Sequence, residues 1–416
     1  MKGESVHIVG GGIIGLCAAW YLTQTGREVT VIDKNDFSNG TSFGNAGLIV
    51  PSHFTPMANP GVVAKGLKWM FNSKSPFFIR PRLNASLIQW LWLFYRSSTT
   101  KKVQASIPVL YDLNERSKFL YEDLASQLGF GFEKNGLLML YKTLKQAREE
   151  IATAEKAHDL GMNPEILDLE GLRKLEPELD LDVLGGVFYP GDAHLYPNRL
   201  MEQLVSQLKG RGVSFLPHTE IDDLKIKGSK IHALSTTSGD HIPIDLLLLT
   251  LGSWTGKLLR KVDIKMYLQD GKGYSITVEK AERCPRIPAI LSEAKVALTP
   301  MGNDFRIGGT LELSGHSGKV SSAKVQGIID SLPKYYKNLK VPYAPGRTEV
   351  WKGYRPCTPD GIPYLGKSKR FSNLFVGTGH GMMGLSLGAV SGKLLSQLMT
   401  DQPPDISMDP FRLDRF

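Results

Sequence analysis

Three features of the sequence predict an α/β fold, α+β overall: a Rossmann-like nucleotide domain built from discontinuous segments, plus an α+β domain with a mostly antiparallel sheet. The chain opens on a short apolar run, Val6–Val9, that meets Gly10-Gly11-Gly12, continues into a helical pattern and reaches a second apolar run closing at Asp33. It ends on a similar unit, with Leu374–Val376, a glycine-rich stretch from Gly377 to Gly384 and a helix to about Met399. Between them, residues 264–349 alternate strand patterns with Gly and Pro turns. Two terminal units sharing one sheet require the middle of the chain to be inserted. The first domain is therefore expected to comprise 1–85, 192–260 and 351–416, and the second 86–191 and 261–350.

In chain order, Val6–Val9 suits a buried parallel strand ending in a tight turn. Ala19, Trp20 and Leu22 supply the apolar positions of the next helix, Gly26 is its C-cap, and Val29–Ile32 is the second strand. Residues 38–47, SNGTSFGNAG, have no apolar period and read as a loop. A helix is expected over Pro108–Leu128, a strand over Gly136–Tyr141 and a charged amphipathic helix over Leu144–Leu160, stopped by Gly161. Asn198–Lys209 is a further helix ending at Gly210, followed by strands at Val213–Leu216, in a meander around 219–243, and at Ile244–Leu251. Leu246–Leu251 is apolar on both faces and belongs in a sheet centre. Tyr274–Val278 and Phe305–Ile307 are strands of the later region.

With 416 residues, 42% of them hydrophobic and 22% charged, the chain can bury a large core in two or three compact units, which excludes disorder and fibrous repeats. Three distant cysteines, Cys17, Cys284 and Cys357, form neither a disulfide framework nor a cysteine zinc site, so no metal and a reducing compartment are expected. No signal-peptide pattern or spanning apolar run is present, which points to the cytoplasm. The net charge of +9 is local: from Phe37 to Tyr111 there is no acid, while Lys65, Lys68, Lys74, Arg80, Arg82, Arg96, Lys101 and Lys102 lie among aromatic residues. Residues 65–102 therefore suit either peripheral contact with an anionic membrane or a solvated basic surface over an aromatic core. RNA-binding signatures and paired zinc ligands are absent, so nucleic acid is not expected.

Gly10-x-Gly12-x-x-Gly15 follows a strand and opens a helix, with Asp33 closing the next strand. The first glycine permits the turn, the second admits a pyrophosphate and the third packs helix on strand, while Asp33 accepts from ribose hydroxyls. This fingerprint does not separate NAD from FAD. The hydroxyls and amides of Thr41–Gly47 suit the rest of an extended cofactor, and the 248–254 stretch approaches it from a neighbouring strand. Gly379-His380-Gly381 is read as opening a helix whose dipole faces the pyrimidine edge of a flavin.

Seven segments, VGGGIIG at the start, TSFGNAGLIVPSH, GLKWMF, KGYSIT (272–277), RIGGTLEL (306–313), WKGYRPCTPDGIPYLG (351–366) and NLFVGTGHGMMGLS (373–386), carry a resemblance in order and spacing. Nearly end to end, the chain resembles the D-amino-acid oxidase superfamily of FAD-dependent oxidoreductases, most of all its D-amino-acid dehydrogenase (small subunit) branch. The resemblance implies FAD extended through the first domain and substrate between the flavin and a sheet of the second. The cofactor contacts run from Gly10, Gly12, Ile13, Ile14 and Gly15 to Asp33 and Lys34, and across Thr41, Ser42, Asn45, Ala46, Gly47 and Leu48. They continue through Ile221, Thr250, Gly252 and Gly353 to Gly379, His380, Gly381, Met382, Met383 and Gly384. Some members attach flavin through a cysteine; Cys357 does not occupy that position, so FAD is expected to be non-covalent, with Cys17 a packing residue.

The same match makes Arg355 the anchor of a substrate carboxylate. Flavin oxidation of an amino acid needs a neutral amine, a Cα–H aimed at flavin N5 and a place for negative charge on the reduced ring; no side-chain base is mandatory. His53 and His380, as histidines of near-neutral pKa, are expected to contact substrate or flavin, with Tyr274 and Lys272 at the domain junction. The implied reaction is deamination of D-amino acids, D-proline or hydroxy-D-proline among them, to an imine and then a 2-oxo acid, with electrons passed to a quinone or other acceptor; the protein is expected in the cytoplasm or peripherally on the inner face of the cell membrane. An oxygen-using oxidase of glycine, sarcosine or another secondary amine is the alternative, and a non-catalytic flavoprotein or nucleic-acid binder a distant third.

Overall fold

Both ends of the chain meet in one six-stranded sheet, ordered Tyr364–Lys367, Leu374–Thr378, Leu246–Leu249, Val6–Val9, Val29–Ile32 and Ser214–Leu216. The computed structural model describes residues 4–61, 77–79, 84–316, 318–344, 346 and 348–416. All neighbours in this sheet are parallel except Tyr364–Lys367 against Leu374–Thr378. The four leucines of Leu246–Leu249 are buried between two other strands, as their unbroken apolar run requires. Three turns leave the carboxyl edge of this sheet together, after Val9, Ile32 and Leu249.

The helix Ile13–Gln24 is buried continuously from Ile13 to Leu22 because it is covered on both sides, by the sheet and by further helices. Gly392 lets the helix Gly388–Met399 cross it closely, since a Cβ there would lie 2.5 Å from the Cys17 carbonyl carbon. Cys17 is itself fully buried in this contact. The helix Thr100–Gln127 adds Leu113, Leu120, Tyr121 and Leu124 to the same core, and Tyr121 Oη donates to the Leu385 carbonyl at 2.6 Å. Its start differs from the expected Pro108. Thr99 caps it, accepting from Lys102 N, and buried Val103 holds the first turns, so Pro108 sits exposed inside the helix and forfeits one bond to the Gln104 carbonyl. The helix Pro197–Gly210 likewise runs through Gly210, and Gly212, at φ +83°, ends it.

The larger sheet has nine strands: Trp351–Cys357, Gln269–Val278, Asp304–Leu313, Val296–Met301, Ala289–Leu291, Leu137–Tyr141, Gly185–Tyr189 and Glu165–Leu167, with Phe77–Ile79 beside Asp304–Leu313. Among the described residues, only the Ala289–Leu291/Leu137–Tyr141 and Phe77–Ile79 pairings are parallel. The meander expected around 219–243 forms a separate three-stranded antiparallel sheet. Two segments depart from the division read from the sequence. Trp351–Cys357 hydrogen-bonds along Gln269–Val278 in the larger sheet, and the helix Thr100–Gln127 packs in the core of the six-stranded one. An apolar pattern reports that a face is buried, not what covers it.

Residues 62–76 and 80–83, which include Lys65, Lys68, Trp69, Phe71, Lys74, Arg80, Arg82 and the GLKWMF run, lie outside the described residues. The adjoining helix, Ala85–Ser97, buries Leu87, Trp90 and Phe94, and Trp90 Nε1 donates to the Cys357 carbonyl at 2.9 Å. Its other face leaves Ile88, Trp92 and Tyr95 exposed at 56%, 55% and 66%. The aromatics of this helix thus divide between core and solvent. Among the described residues no helix is long and apolar enough to cross a membrane.

Candidate active site

A cavity of about 750 Å³ opens where the carboxyl edge of the six-stranded sheet faces the larger sheet. The glycine fingerprint forms one wall. Gly10, at φ +113°, turns the chain so closely beneath the Leu246–Leu249 strand that a Cβ would sit 2.6 Å from the Thr250 oxygen. A Cβ on Gly15 would lie 2.1 Å from the Gly10 oxygen, so this glycine packs helix on turn and does not line the cavity. Gly12 differs: the nearest atom to its Cβ would be Ser42 Oγ at 3.6 Å, leaving its cavity side open. The helix that begins here has no side-chain cap on Gly12 and no acid in its first turn.

Asp33 is fixed at the rim by accepting from Gly11 N on Oδ2 at 2.8 Å and from Asn35 N on Oδ1 at 2.9 Å, and each oxygen retains a lone pair. An open glycine, a helix terminus without an acid in its first turn, where Ser42 Oγ accepts from Ile13 N at 3.1 Å, and a carboxylate at the next strand end fit the phosphate and ribose of a dinucleotide such as FAD. Lys34, Thr41, Ser42, Asn45, Ala46, Leu48, Ile221, Thr250, Gly252 and Gly353 share the lining with Ile13 and Ile14. Gly47 and Gly379 do not; their Cβ positions are blocked by the Leu195 oxygen at 2.3 Å and Thr358 Cγ2 at 2.5 Å.

The 43–45 loop is tied across to the larger sheet. Arg306 Nη1 donates to the Phe43 and Asn45 carbonyls, both at 2.8 Å, and Ser275 Oγ donates to Gly44 O at 2.8 Å. Burial lowers the Arg306 pKa to about 10, which leaves it a cation at neutral pH. The Trp351 indole lies flat against this loop, where a Cβ on Gly44 or Gly353 would come within 1.9 or 2.0 Å of its ring.

On the larger-sheet side, Arg355 projects from Trp351–Cys357 over Gly273, whose Cβ would fall 2.2 Å from Arg355 Nη1. Nη1 donates to the Thr310 carbonyl, and among the described residues no carboxylate pairs with the guanidinium. Thr310 is held at φ +65°, a strained conformation for a β-branched residue, and its buried Oγ1 has no hydrogen-bond partner among the described residues. Both residues line the cavity. Tyr274 lines it too, with its hydroxyl donating to Glu312 and accepting from Ser321 N, each at 3.2 Å. Lys272 is buried 3.5 Å from Glu312 Oε2 and is not part of the lining.

The two histidines depart from near-neutral behaviour because burial disfavours their charged forms. His53 is depressed to about 4 by burial, with Lys295 adding to the effect, and its Nδ1 lies 3.1 Å from Ser52 Oγ. His380 is depressed to about 3 by burial, with Nε2 2.9 Å from Ser391 Oγ. Both line the cavity as neutral rings. The terminal glycine loop also differs from expectation. Gly381–Met383 is a single 3₁₀ turn, lining the cavity with Gly384, and the α-helix begins only at Gly388. That helix start is met by Ser117 Oγ, which accepts from Val390 N at 3.4 Å, so its terminus faces a neighbouring helix.

Sequence reasoning missed Arg306, Trp351, Thr310, Ser52 and Asp192. Asp192 carried no local signal, but Arg306, Thr310, Trp351 and Ser52 stand inside segments that already bore the resemblance.

A family model described as FAD dependent oxidoreductase (DAO) matches residues 5–398. The chain is 33% identical over 427 residues to a D-amino acid dehydrogenase of Methylobacterium radiotolerans, with 99% of each chain covered. A D-amino acid dehydrogenase of Granulibacter bethesdensis is 31% identical over 424 residues, again with 99% of each covered. Among solved structures, glycine oxidase from Geobacillus kaustophilus superposes with a TM-score of 0.79 over the whole of both chains at 22% identity, a likeness of fold.

Proposed function

The chain belongs to the DAO family of FAD-dependent oxidoreductases, and on that premise we propose that it is a dehydrogenase of D-amino acids, cyclic ones such as D-proline or hydroxy-D-proline among them. The observation that carries this reading is Arg355, a cation in the cavity wall with no carboxylate partner among the described residues, on the sheet facing the open Gly12. A half-buried guanidinium without a counter-charge among the described residues suits a substrate carboxylate held by two parallel bonds. The names of the relatives support the D-configuration.

In this reading Gly12, the helix start at Ile13 and Asp33 hold the pyrophosphate and ribose of non-covalently bound FAD, and Thr41–Leu48 with Gly381–Gly384 hold the flavin end. When bound, FAD supplies the acceptor for the hydride leaving Cα. Arg355 fixes the carboxylate and so the direction of the Cα–H bond. Neutral His53 takes a hydrogen bond from the amine. The imine formed is hydrolysed by water to a 2-oxo acid and ammonia, or ring-opens reversibly if cyclic. The cofactor unit combines the six-stranded sheet with its helices, Thr100–Gln127 included, and the larger sheet forms the substrate unit.

Electrons pass to a quinone, with the protein resting on the inner face of an anionic membrane. Ile88, Trp92 and Tyr95 on one face of Ala85–Ser97, beside Arg96, Lys101 and Lys102 and with no acid on that helix, support such contact. An anaerobic screen of D- and L-amino acids, cyclic and acyclic, tests the reading through flavin bleaching. Bleaching by D-isomers is expected; bleaching only by L-isomers or glycine derivatives overturns it. Slow reoxidation by oxygen but fast reoxidation by a quinone is expected of the reduced protein.

A further inference from the structure

One carboxylate behind the cavity wall is engaged by a single neighbouring residue. Asp192, fully buried, follows the turn after Gly185–Tyr189, where the pairing of Leu48–Ile49 with Ala193–His194 brings Ser52 against it. Asp192 Oδ1 accepts from Ser52 N at 3.1 Å and Oδ2 from Ser52 Oγ at 2.5 Å. Ser52 Oγ in turn lies 3.1 Å from His53 Nδ1, and His53 lines the cavity. Asp192, Ser52 and His53 form one hydrogen-bonded line from the interior to the cavity.

The serine hydroxyl has one proton, which decides the histidine tautomer. While Asp192 is ionised, that proton is donated to Asp192, so Nδ1–H must donate to Ser52 Oγ and Nε2 keeps its lone pair. When Asp192 is protonated the two side-chain bonds reverse while Ser52 N still donates to Oδ1: the Asp192 O–H donates to Ser52 Oγ, Ser52 donates to Nδ1, and Nε2 carries the hydrogen. The state of a buried carboxyl thus sets whether the imidazole edge opposite Nδ1 is a base or a donor.

We propose that this line is a proton relay, taking a proton from the substrate ammonium at His53 Nε2 and storing it on Asp192, so that the amine is oxidised in its neutral form. The proposal rests on the amino-acid reading above. In the transfer an ammonium N–H breaks as Nε2–H forms, Nδ1–H breaks as a Ser52 O–H forms, and the original Ser52 O–H breaks as Asp192 O–H forms. No electrons are exchanged; the substrate loses one positive charge and the carboxylate its negative one. His53 alone is a poor store at neutral pH, because burial and Lys295 hold its pKa at about 4. Asp192 is raised to about 7, mainly by burial, against the lowering effect of the Ser52 bonds. Lys118 lowers it and Glu115 raises it from the helix Thr100–Gln127, and it faces Tyr189, whose own pKa is raised by burial, Glu150 and Asp192.

Two measurements on the purified flavoprotein test this. In infrared titration without substrate, a buried protonated-carboxyl band should appear as pH falls through about 7 and vanish in Asp192→Asn, while nitrogen NMR of His53 should show its tautomer exchanging over the same range. With substrate, Asp192→Asn should lower kcat/KM about tenfold or more at pH 7 and recover toward wild type as pH approaches the pKa of the amine itself; Asp192→Glu should keep the wild-type profile. A wild-type profile in Asp192→Asn, an equal loss at every pH, or a carboxyl that does not titrate overturns the relay. If no amino acid bleaches the flavin, the functional reading fails, and the infrared and NMR titrations still decide the relay.

Discussion

Arg355 Nη1 donates to the carbonyl oxygen of Thr310, and Thr310 holds that oxygen in place from a left-handed backbone conformation. The contact reaches across Gln269–Val278, the strand between those of Arg355 and Thr310, over Gly273, so the guanidinium is oriented by strained backbone and leaves its other N–H groups for a ligand. Arg355→Ala should therefore raise KM strongly, losing about 2–4 kcal/mol, or roughly thirtyfold or more in kcat/KM. Arg355→Lys should recover little, since an ammonium cannot make both the Thr310 bond and a two-pronged contact. Steady-state kinetics on the best D-amino acid check this; an unchanged KM removes Arg355 from the site.

Gly10 and Gly12 separate folding from cofactor binding. A methyl on Gly10 would clash with the Thr250 carbonyl from a positive φ, so Gly10→Ala should destabilise the protein by about 2 kcal/mol or more. Gly12→Ala has room for its methyl within the protein and should leave the apoprotein Tm nearly unchanged while weakening FAD binding about tenfold or more. Thermal unfolding and flavin titration of the two apoproteins distinguish them.

Asp192 links stability to pH. Its folded-state pKa, about 7 against an ordinary 3.8, means that the native state binds the proton more tightly than the unfolded chain. Its contribution is therefore fully present below about pH 4 and is lost as pH rises through about 7, amounting to roughly 4 kcal/mol across that window. Asp192→Asn should flatten this part of the curve and raise Tm relative to wild type at pH 8. Equal Tm differences at pH 5 and pH 8 would contradict it.

The exposed face of Ala85–Ser97 predicts membrane contact. Trp92→Ser combined with Tyr95→Ser should abolish co-sedimentation with anionic vesicles while leaving flavin content unchanged, because neither side chain belongs to the core. Binding of the wild type should weaken with salt. Vesicle binding that survives the double substitution would place the contact elsewhere.

The parts legible in the sequence were those written locally. Val6–Val9, the fingerprint and Asp33 occupy one unbroken stretch, and four consecutive leucines announce a central strand. Ser52 and Asp192 stand 140 residues apart, and no spacing rule joins a serine to a carboxylate at that distance. Gly44 and Gly353 were visible as glycines, but the indole of Trp351 that requires them was not. Pro108 misled because proline marks a helix start only when no stronger cap precedes it, and Thr99 does. The histidine pKa values were missed for a related reason: burial is a property of the assembled fold, and it moved both rings away from neutrality.

The sheet that joins the two chain ends has a consequence for biosynthesis. Val6–Val9 leaves the ribosome well before its neighbour Leu246–Leu249, and Leu374–Thr378, on the far side of that neighbour, arrives later still. Trp351, which backs the loop at Gly44, likewise emerges long after that loop. A growing chain therefore carries its fingerprint glycines before the walls of the cavity exist, and productive cofactor loading should wait until the strands Leu246–Leu249 and Leu374–Thr378 have been made. Flavin supply then acts on a chain whose later strands are in place, as a late step of maturation.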